Sequence, residues 1–265
     1  MAKSRDLKVV TSAVLLALIC MSGEATAAQC GNTSAGFEVW KSAFANEARA
    51  HGVGAAGLAA LIGTSYSNAT IAADRGQRSF SLSLEQFMAK RGAATIVARG
   101  RALKQSDAAM FASIQQHYGV PPGPLLAIWG METGFGHVRG TQHALSAVAT
   151  LAYDCRRSAY FTDQLNAALT LIDRGALSPQ ARGSMHGEIG HTQFLPKNIL
   201  QYGVGGNLDV ARNALASTAN FLRAHGWRPG AGYQPSEPNF AAIQAWNAAT
   251  VYQRALAIMG QQIDR

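Results

Sequence analysis

The sequence predicts a mainly α-helical protein with at most a small β hairpin. Three observations carry this expectation. Apolar residues recur at helical spacing along most of the chain, no segment of any length alternates as a strand does, and no Pro- or Ser-rich linker divides it. Phe37, Trp40, Phe44 and Ala48 form one amphipathic stripe, closed by Gly52, and Gly54 to Ile62 make a short alanine-rich helix. Residues 64–80 are polar and read as an irregular connection. Ser83 is placed to cap a helix over Leu84–Arg91, and Ala93–Leu103 and Asp107–Tyr118 follow as two more. After the break at Tyr118-Gly119-Val120-Pro121 comes a short helix from Pro122, with prolines in its first turn and Gly134 at its exit. Ser146–Ala152, Phe161–Asp173, Leu195–Tyr202 and Val210–His225 continue the pattern. Phe240–Ile263 is predicted as one last helix, with Ile243, Trp246 and Tyr252 as apolar contacts. A small hairpin fits best within the glycine-rich, polar residues 178–194.

The first 28 residues stand apart. Lys3, Arg5 and Lys8 precede an apolar run, Val9 to Met21, too short to span a bilayer comfortably, and Ala25-Thr26-Ala27 offers small residues for cleavage. This is the pattern of a secretory signal peptide, with a retained amphipathic anchor as the alternative. Leu18-Ile19 before Cys20 is a poor context for lipid attachment, so a lipoprotein is not expected. The remaining segment, 29–265, is long enough for one compact domain. The whole chain carries +8, and about +7 remains beyond residue 28. A basic exported protein suits an anionic envelope polymer or membrane surface, and no nucleic-acid motif is present. Cys30 and Cys155 survive cleavage; in an oxidising compartment they suggest one disulfide, with two free thiols as the alternative.

Glu132 is the first candidate for chemistry. Leu125, Ile128, Trp129 and Glu132 fall at i, i+3, i+4 and i+7, which is one helical face. A carboxylate ending a buried stripe near a helix C-terminus is pushed toward the protonated form by burial and by the macrodipole, as a general acid requires. The alternative is that the helix ends there and Glu132 points into water. The second block is Gly183-Ser184-Met185-His186-Gly187-Glu188-Ile189-Gly190-His191-Thr192-Gln193-Phe194-Leu195-Pro196. Its glycines allow positive φ and close approach, and Gln193 both donates and accepts, which suits a sugar acetamide; a structural glycine-rich turn is the plainer reading.

Together these blocks resemble the membrane-bound lytic transglycosylase B family, lysozyme-like enzymes of peptidoglycan. The resemblance rests on Met131-Glu132-Thr133 with Gly136, on Gly183-Ser184, Gly187, Gly190, Gln193-Phe194 and Pro196, on Tyr202, and on His225-Gly226-Trp227. Supporting pieces are Arg78-Ser79-Phe80, Tyr118 to Pro122, Arg156-Arg157 with Phe161, and Trp246-Asn247. The ordered set runs from about Phe37 to Ile258. It implies a helical lysozyme-like domain with a substrate groove and Glu132 as the catalytic acid. It further implies Ser184 and Gln193 lining the groove, Tyr202 in a sugar-contacting region, and Asn247 facing the reacting muramic residue. The implied reaction cuts the β-1,4 bond between N-acetylmuramic acid and N-acetylglucosamine and leaves 1,6-anhydro ends. A single glutamate suffices for it, because the sugar's own acetamide replaces the second carboxylate most glycosidases need.

Four departures from the family pattern matter. Glu188 stands where many relatives have a small residue; it is expected to be solvent-facing or salt-bridged, the alternative being a second groove carboxylate that would support hydrolysis. Phe87 falls where some relatives carry a sugar-contacting tyrosine. The stretch Gly203 to Asp209 has too few oxygen ligands for the calcium loop of some relatives. With the sequence ending at Arg265, the appended peptidoglycan-binding domain of some relatives is not expected. His137, His143, His186, His191 and His225 have no metal-ligand spacing, so neither a metal nor a cofactor is expected. The expectation is therefore a periplasmic or exported, monomeric lytic transglycosylase acting on glycan strands. Its rivals are a muramidase using Glu188 and a non-catalytic envelope glycan-binding protein.

Overall fold

The structure, a computed structural model, describes residues 28–76 and 82–265. The apolar run of the N-terminal leader and Arg78-Ser79-Phe80 lie outside these residues. Among the described residues there are thirteen α-helices: α1 Phe37–Ala50, α2 Ala55–Ile62, α3 Asn68–Arg75, α4 Leu84–Arg91, α5 Ala93–Ser106, α6 Ala108–Tyr118, α7 Pro122–Thr133, α8 Ala144–Tyr153, α9 Ser158–Asp173, α10 Pro196–Tyr202, α11 Ala211–Ala224, α12 Phe240–Trp246 and α13 Thr250–Asp264. Two short strands, β1 Gln142–His143 and β2 Arg182–Gly183, pair antiparallel. The residues 178–194 thus find their strand partner in 142–143, while the isolated bridges Gly183–Ile189 and Ile189–Phe194 fold the segment back on itself.

Two hydrophobic clusters organise the helices. One gathers residues of α4 to α7 and α11 to α13, including Phe87, Ile128, Trp129, Phe194, Phe221 and Tyr252. The other gathers α1, α2, α3, α8 and α9 around Phe37, Trp40, Phe44, Tyr153 and Phe161. Helix α7 is the axis of the first. Every residue from Gly123 to Met131 is buried, so this helix has no solvent face and the single-stripe reading of it was too narrow. It runs against α13, and the contact is close because Gly123 has no side chain: a Cβ there would stand 2.2 Å from the Gly260 carbonyl.

Two expectations need correction. The polar stretch 64–80 contains α3, capped by Ser67, whose hydroxyl accepts from the Thr70 amide (3.1 Å). Its polarity misled because its buried face carries an ion-paired aspartate. Asp74 accepts from Arg156 Nε (2.6 Å) and from Arg157, while Arg75 pairs with buried Asp154 (2.6 Å). Burial alone would raise the Asp74 pKa, but the Arg156 and Arg157 guanidiniums hold it below the usual value. The last helix is also two. Asn247, extended at φ −147°, ψ 131°, ends α12, and its Oδ1 accepts from the Ala249 amide (2.9 Å) before α13 begins.

Ser83 caps α4 in a full capping box with Gln86. Cys30 and Cys155 are joined, with Cα atoms 5.0 Å apart at a sequence separation of 125. For so long a loop the chain-entropy model gives roughly 4–5 kcal/mol. Among the described residues no helix is long and apolar enough to cross a membrane.

Candidate active site

A cleft of about 400 Å³ opens where the two clusters meet. Glu132, Glu188, Gln193, Tyr202 and Asn247 line it, with Tyr160, Lys197 and Trp246 among their neighbours. Three larger hollows, about 680 Å³ against α6 and α11, about 580 Å³ against α4 and α5, and about 460 Å³ between α4 and the start of α13, contain no residue of α7 or of the 183–194 turn.

Glu132 is the penultimate residue of α7 and is half-buried. The break between α12 and α13 brings two donors onto one carboxyl oxygen. Tyr252 Oη, from the first turn of α13, donates to Glu132 Oε1 at 2.5 Å, and Trp246 Nε1, from the last residue of α12, at 3.4 Å. Burial raises the Glu132 pKa; the Tyr252 hydrogen bond opposes that, the Glu188 charge adds to it, and Trp246 and Arg91 oppose it, with a net upward shift. With Oε1 accepting from both donors, Oε2 is the oxygen left to carry the proton. Tyr252 is held well above the ordinary phenol pKa by its own burial and by Glu132, so it remains a neutral donor. Neither Tyr252 nor Trp246 was anticipated as a site residue. Both look like core aromatics in sequence, and only the helix break turns their polar tips toward the acid.

The opposite wall is the 183–194 turn. Trp129 Nε1 donates to His191 Nδ1 (3.0 Å) and Thr133 Oγ1 to the His191 carbonyl (2.7 Å), so the helix bearing Glu132 also holds the turn. Burial, with the nearby Arg139 charge, lowers the His191 pKa and keeps the ring neutral, as an acceptor for the indole requires. Gly190 sits at φ 78° because Leu208 passes behind it, leaving no room for a Cβ: the Leu208 Cβ and carbonyl would lie 2.5 and 2.6 Å away. Gln193 is left-handed at φ 54°, and its Nε2 donates to the Gly190 carbonyl (2.9 Å) and the Arg139 carbonyl (3.3 Å). Its side chain is therefore fixed with the amide nitrogen spent, leaving the carbonyl oxygen as the free end.

Ser184 is not among the residues lining the cleft. It stands behind Glu188, donating to Glu188 Oε2 at 2.5 Å while its oxygen accepts from the amides of His186 (3.1 Å) and Glu188 (3.2 Å). Glu188 itself lines the cleft, half-buried, and among the described residues forms no ion pair, so it is not the salt-bridged glutamate expected and lies in the groove as the alternative had it. Tyr202 packs edge-on against Phe221 at the far end of the cleft, beside His225. Phe87 is fully buried against the Tyr252 ring, below the cleft. In the 203–209 stretch, Asp209 pairs with Arg139 (3.0 Å), an internal cation for its carboxylate.

A helical domain with one acid raised above its ordinary pKa, set in a polar cleft, is the arrangement of lysozyme-like glycan-cleaving enzymes. Residues 36–237 match the family described as the transglycosylase SLT domain, and the chain belongs to that family. It is 37% identical over 123 residues to the membrane-bound lytic murein transglycosylase B of Escherichia coli K12; that match covers 43% of this chain and 34% of the relative, about a third of its length. A crystal structure of SltB3 from Pseudomonas aeruginosa in complex with NAG-NAM-pentapeptide superposes with a TM-score of 0.79 at 26% identity, over 86% of this chain and 79% of that one. A second SltB3 structure, with NAG-anhNAM-pentapeptide, gives 0.77 at 26% identity over 84% and 78%. The Escherichia coli lytic transglycosylase Slt35 in complex with bulgecin A, at 23% identity, shares the fold, with a TM-score of 0.72 over 89% and 96%.

Proposed function

We propose that this protein is an exported peptidoglycan lytic transglycosylase. Residues 29–265 form its catalytic domain, and the segment before them directs export. It cuts the β-1,4 bond between N-acetylmuramic acid and N-acetylglucosamine in glycan strands and needs no metal or cofactor. The observation that carries this reading is the state of Glu132: a carboxyl raised toward protonation and held on Oε1 by Tyr252 and Trp246 in a polar cleft. Further support comes from the SltB3 complexes, whose ligands are peptidoglycan fragments, and from the basic charge, which suits an anionic wall polymer.

The steps follow from the proton on Oε2. Glu132 gives it to the glycosidic oxygen as the C1–O bond breaks, and the acetamide oxygen of the muramic residue bonds to C1. The Glu132 carboxylate then takes the proton of the C6 hydroxyl, whose oxygen displaces the acetamide from C1 and closes the 1,6-anhydro ring. Gln193 offers a fixed carbonyl, Asn247 its amide, and Tyr202 an aromatic wall to the sugars. Tyr252 and Trp246 stabilise the carboxylate form between the steps, so the acid is strong enough to give its proton and still able to recover one.

A muramidase with Glu188 as second carboxylate is the rival favoured by one observation, the presence of Glu188 in the cleft. A purely glycan-binding protein has no use for a carboxyl raised above its ordinary pKa. Glu132→Gln distinguishes catalysis from binding: clearing of purified sacculi should fall to background while the variant still sediments with them. Turnover near the wild-type rate would place the acid elsewhere.

A further inference from the structure

Glu188 lines the cleft, and among the described residues no cation pairs with it. Lys197, which lines the same cleft, pairs with Asp163 (2.6 Å), and His186, two positions earlier in the chain, faces Asp74 (3.9 Å). Its carboxylate is not loose. Ser184 grips Oε2 at 2.5 Å, and Ser184 is itself fixed by two turn amides and by its own amide, which donates to the Glu188 carbonyl (2.9 Å). Ser184 has one hydroxyl proton and two lone pairs, and all three are used. It has nothing left to offer an acetamide; what it does is aim Glu188, whose Oε1 is the unclaimed atom.

A fixed, unneutralised carboxylate in a glycan cleft is matched to positive charge, and the proposed reaction makes one. When the acetamide oxygen bonds to C1, the charge spreads over the new ring's oxygen, carbon and N–H. Preorganised charge aimed at such a centre is the strongest form of electrostatic catalysis, because nothing has to reorient as the charge develops. We propose that Glu188 is a second catalytic residue, accepting the N–H of the acetamide and stabilising the oxazolinium cation formed from it, with Ser184 as its positioning residue. The inference rests on the transglycosylase reading above. Protons and bonds balance without any change in Glu188: Glu132 loses and regains the proton, the nitrogen keeps its hydrogen, and the acetamide is released intact when the C6 oxygen takes its place on C1. Glu188 therefore supplies charge without acting as nucleophile or base, which separates it from the muramidase reading.

The test uses the full exported chain, with Glu188→Gln, Glu188→Asp and Ser184→Ala, after circular dichroism has shown each to be folded. On sacculi, Glu188→Gln should lower kcat about 10²-fold, as removal of one preorganised electrostatic group does, with KM little changed and the products still 1,6-anhydro. Glu188→Asp, which keeps the charge, should recover part of that loss, and Ser184→Ala should lower kcat by a smaller factor, about 10-fold, again without moving KM. A Glu188→Gln kcat within about threefold of wild type would overturn the proposal. Two probes read the same role without turnover: a glucosamine-fused methylimidazoline, cationic at neutral pH, and neutral triacetylchitotriose. Glu188→Gln should weaken the first about 10-fold or more and leave the second unchanged. Equal effects on both, or none, would overturn it. Wild-type products with reducing muramic ends would instead sink the transglycosylase reading, an outcome the probe pair does not share.

Discussion

Helix α7 and the 183–194 turn face each other across one cleft, yet they hold their functional groups by opposite means. Helix α7 is regular, apolar and buried on every side, and its acid is made by what surrounds it: burial raises Glu132, and two aromatic donors from neighbouring helices steady one oxygen. The turn has almost no regular structure. It is held by glycines in left-handed backbone, by bridges of one residue pair, and by a hydroxyl whose bonds are all internal. Each wall is therefore vulnerable at a different point. The helix should tolerate a neutral replacement of its functional residue and lose only chemistry. The turn should lose its shape when a glycine gains one carbon.

The largest effect expected is at the helix. Glu132→Gln should cost about 10³-fold or more in kcat, the scale of a lost general acid, while the protein stays folded. The fold should even gain. A carboxyl whose folded pKa lies above its unfolded value contributes stability that is complete below the unfolded value and lost as pH rises through the folded one. The glutamine has no such loss, so its advantage in melting temperature should grow from acid toward alkaline pH. An equal advantage at all pH values would mean that Glu132 is not raised.

Next in size is Gly190→Ala. The new Cβ meets Leu208 in a left-handed backbone, and a cost of about 3 kcal/mol is expected in urea unfolding. A loss under about 1 kcal/mol would show that the turn is more adaptable than the helix, reversing the comparison. The smallest effect is at the seam between the walls. Tyr252→Phe removes a hydrogen bond that lowers the Glu132 pKa, so the acid should ionise at higher pH and the alkaline limb of kcat/KM should move upward, with kcat down about 10-fold. A downward move of that limb would contradict the geometry.

The same contrast explains what could be read from the sequence. The helices announced themselves by apolar spacing, and Glu132 by standing where that spacing asked for an apolar residue. Helix α3 was hidden because an aspartate that finds two arginines far along the chain looks, locally, like loop polarity. The division between α12 and α13 was hidden because Asn247-Ala248-Ala249 contains neither glycine nor proline; the Asn247 side chain ends the helix by capping an amide two residues on. Tyr252 and Trp246 were legible as aromatics but not as donors, since an i, i+6 pair meets at one atom only when the helix between them is broken. Ser184 was placed in the groove by resemblance, whereas the structure sets Glu188 in front of it. A substitution beside a familiar residue can change which of the two faces the ligand.

The product distinguishes the two acceptors, C6 hydroxyl and water, most directly. Purified sacculi digested by the protein, with half of each digest reduced by borohydride, should yield muropeptides ending in 1,6-anhydro-N-acetylmuramic acid. By mass spectrometry these are one water lighter than hydrolytic fragments and unchanged by the reduction. Fragments ending in reducible muramic acid as the main product would contradict the account. Water, not the C6 hydroxyl, would then be the acceptor, and Glu188 would be the base that activates it.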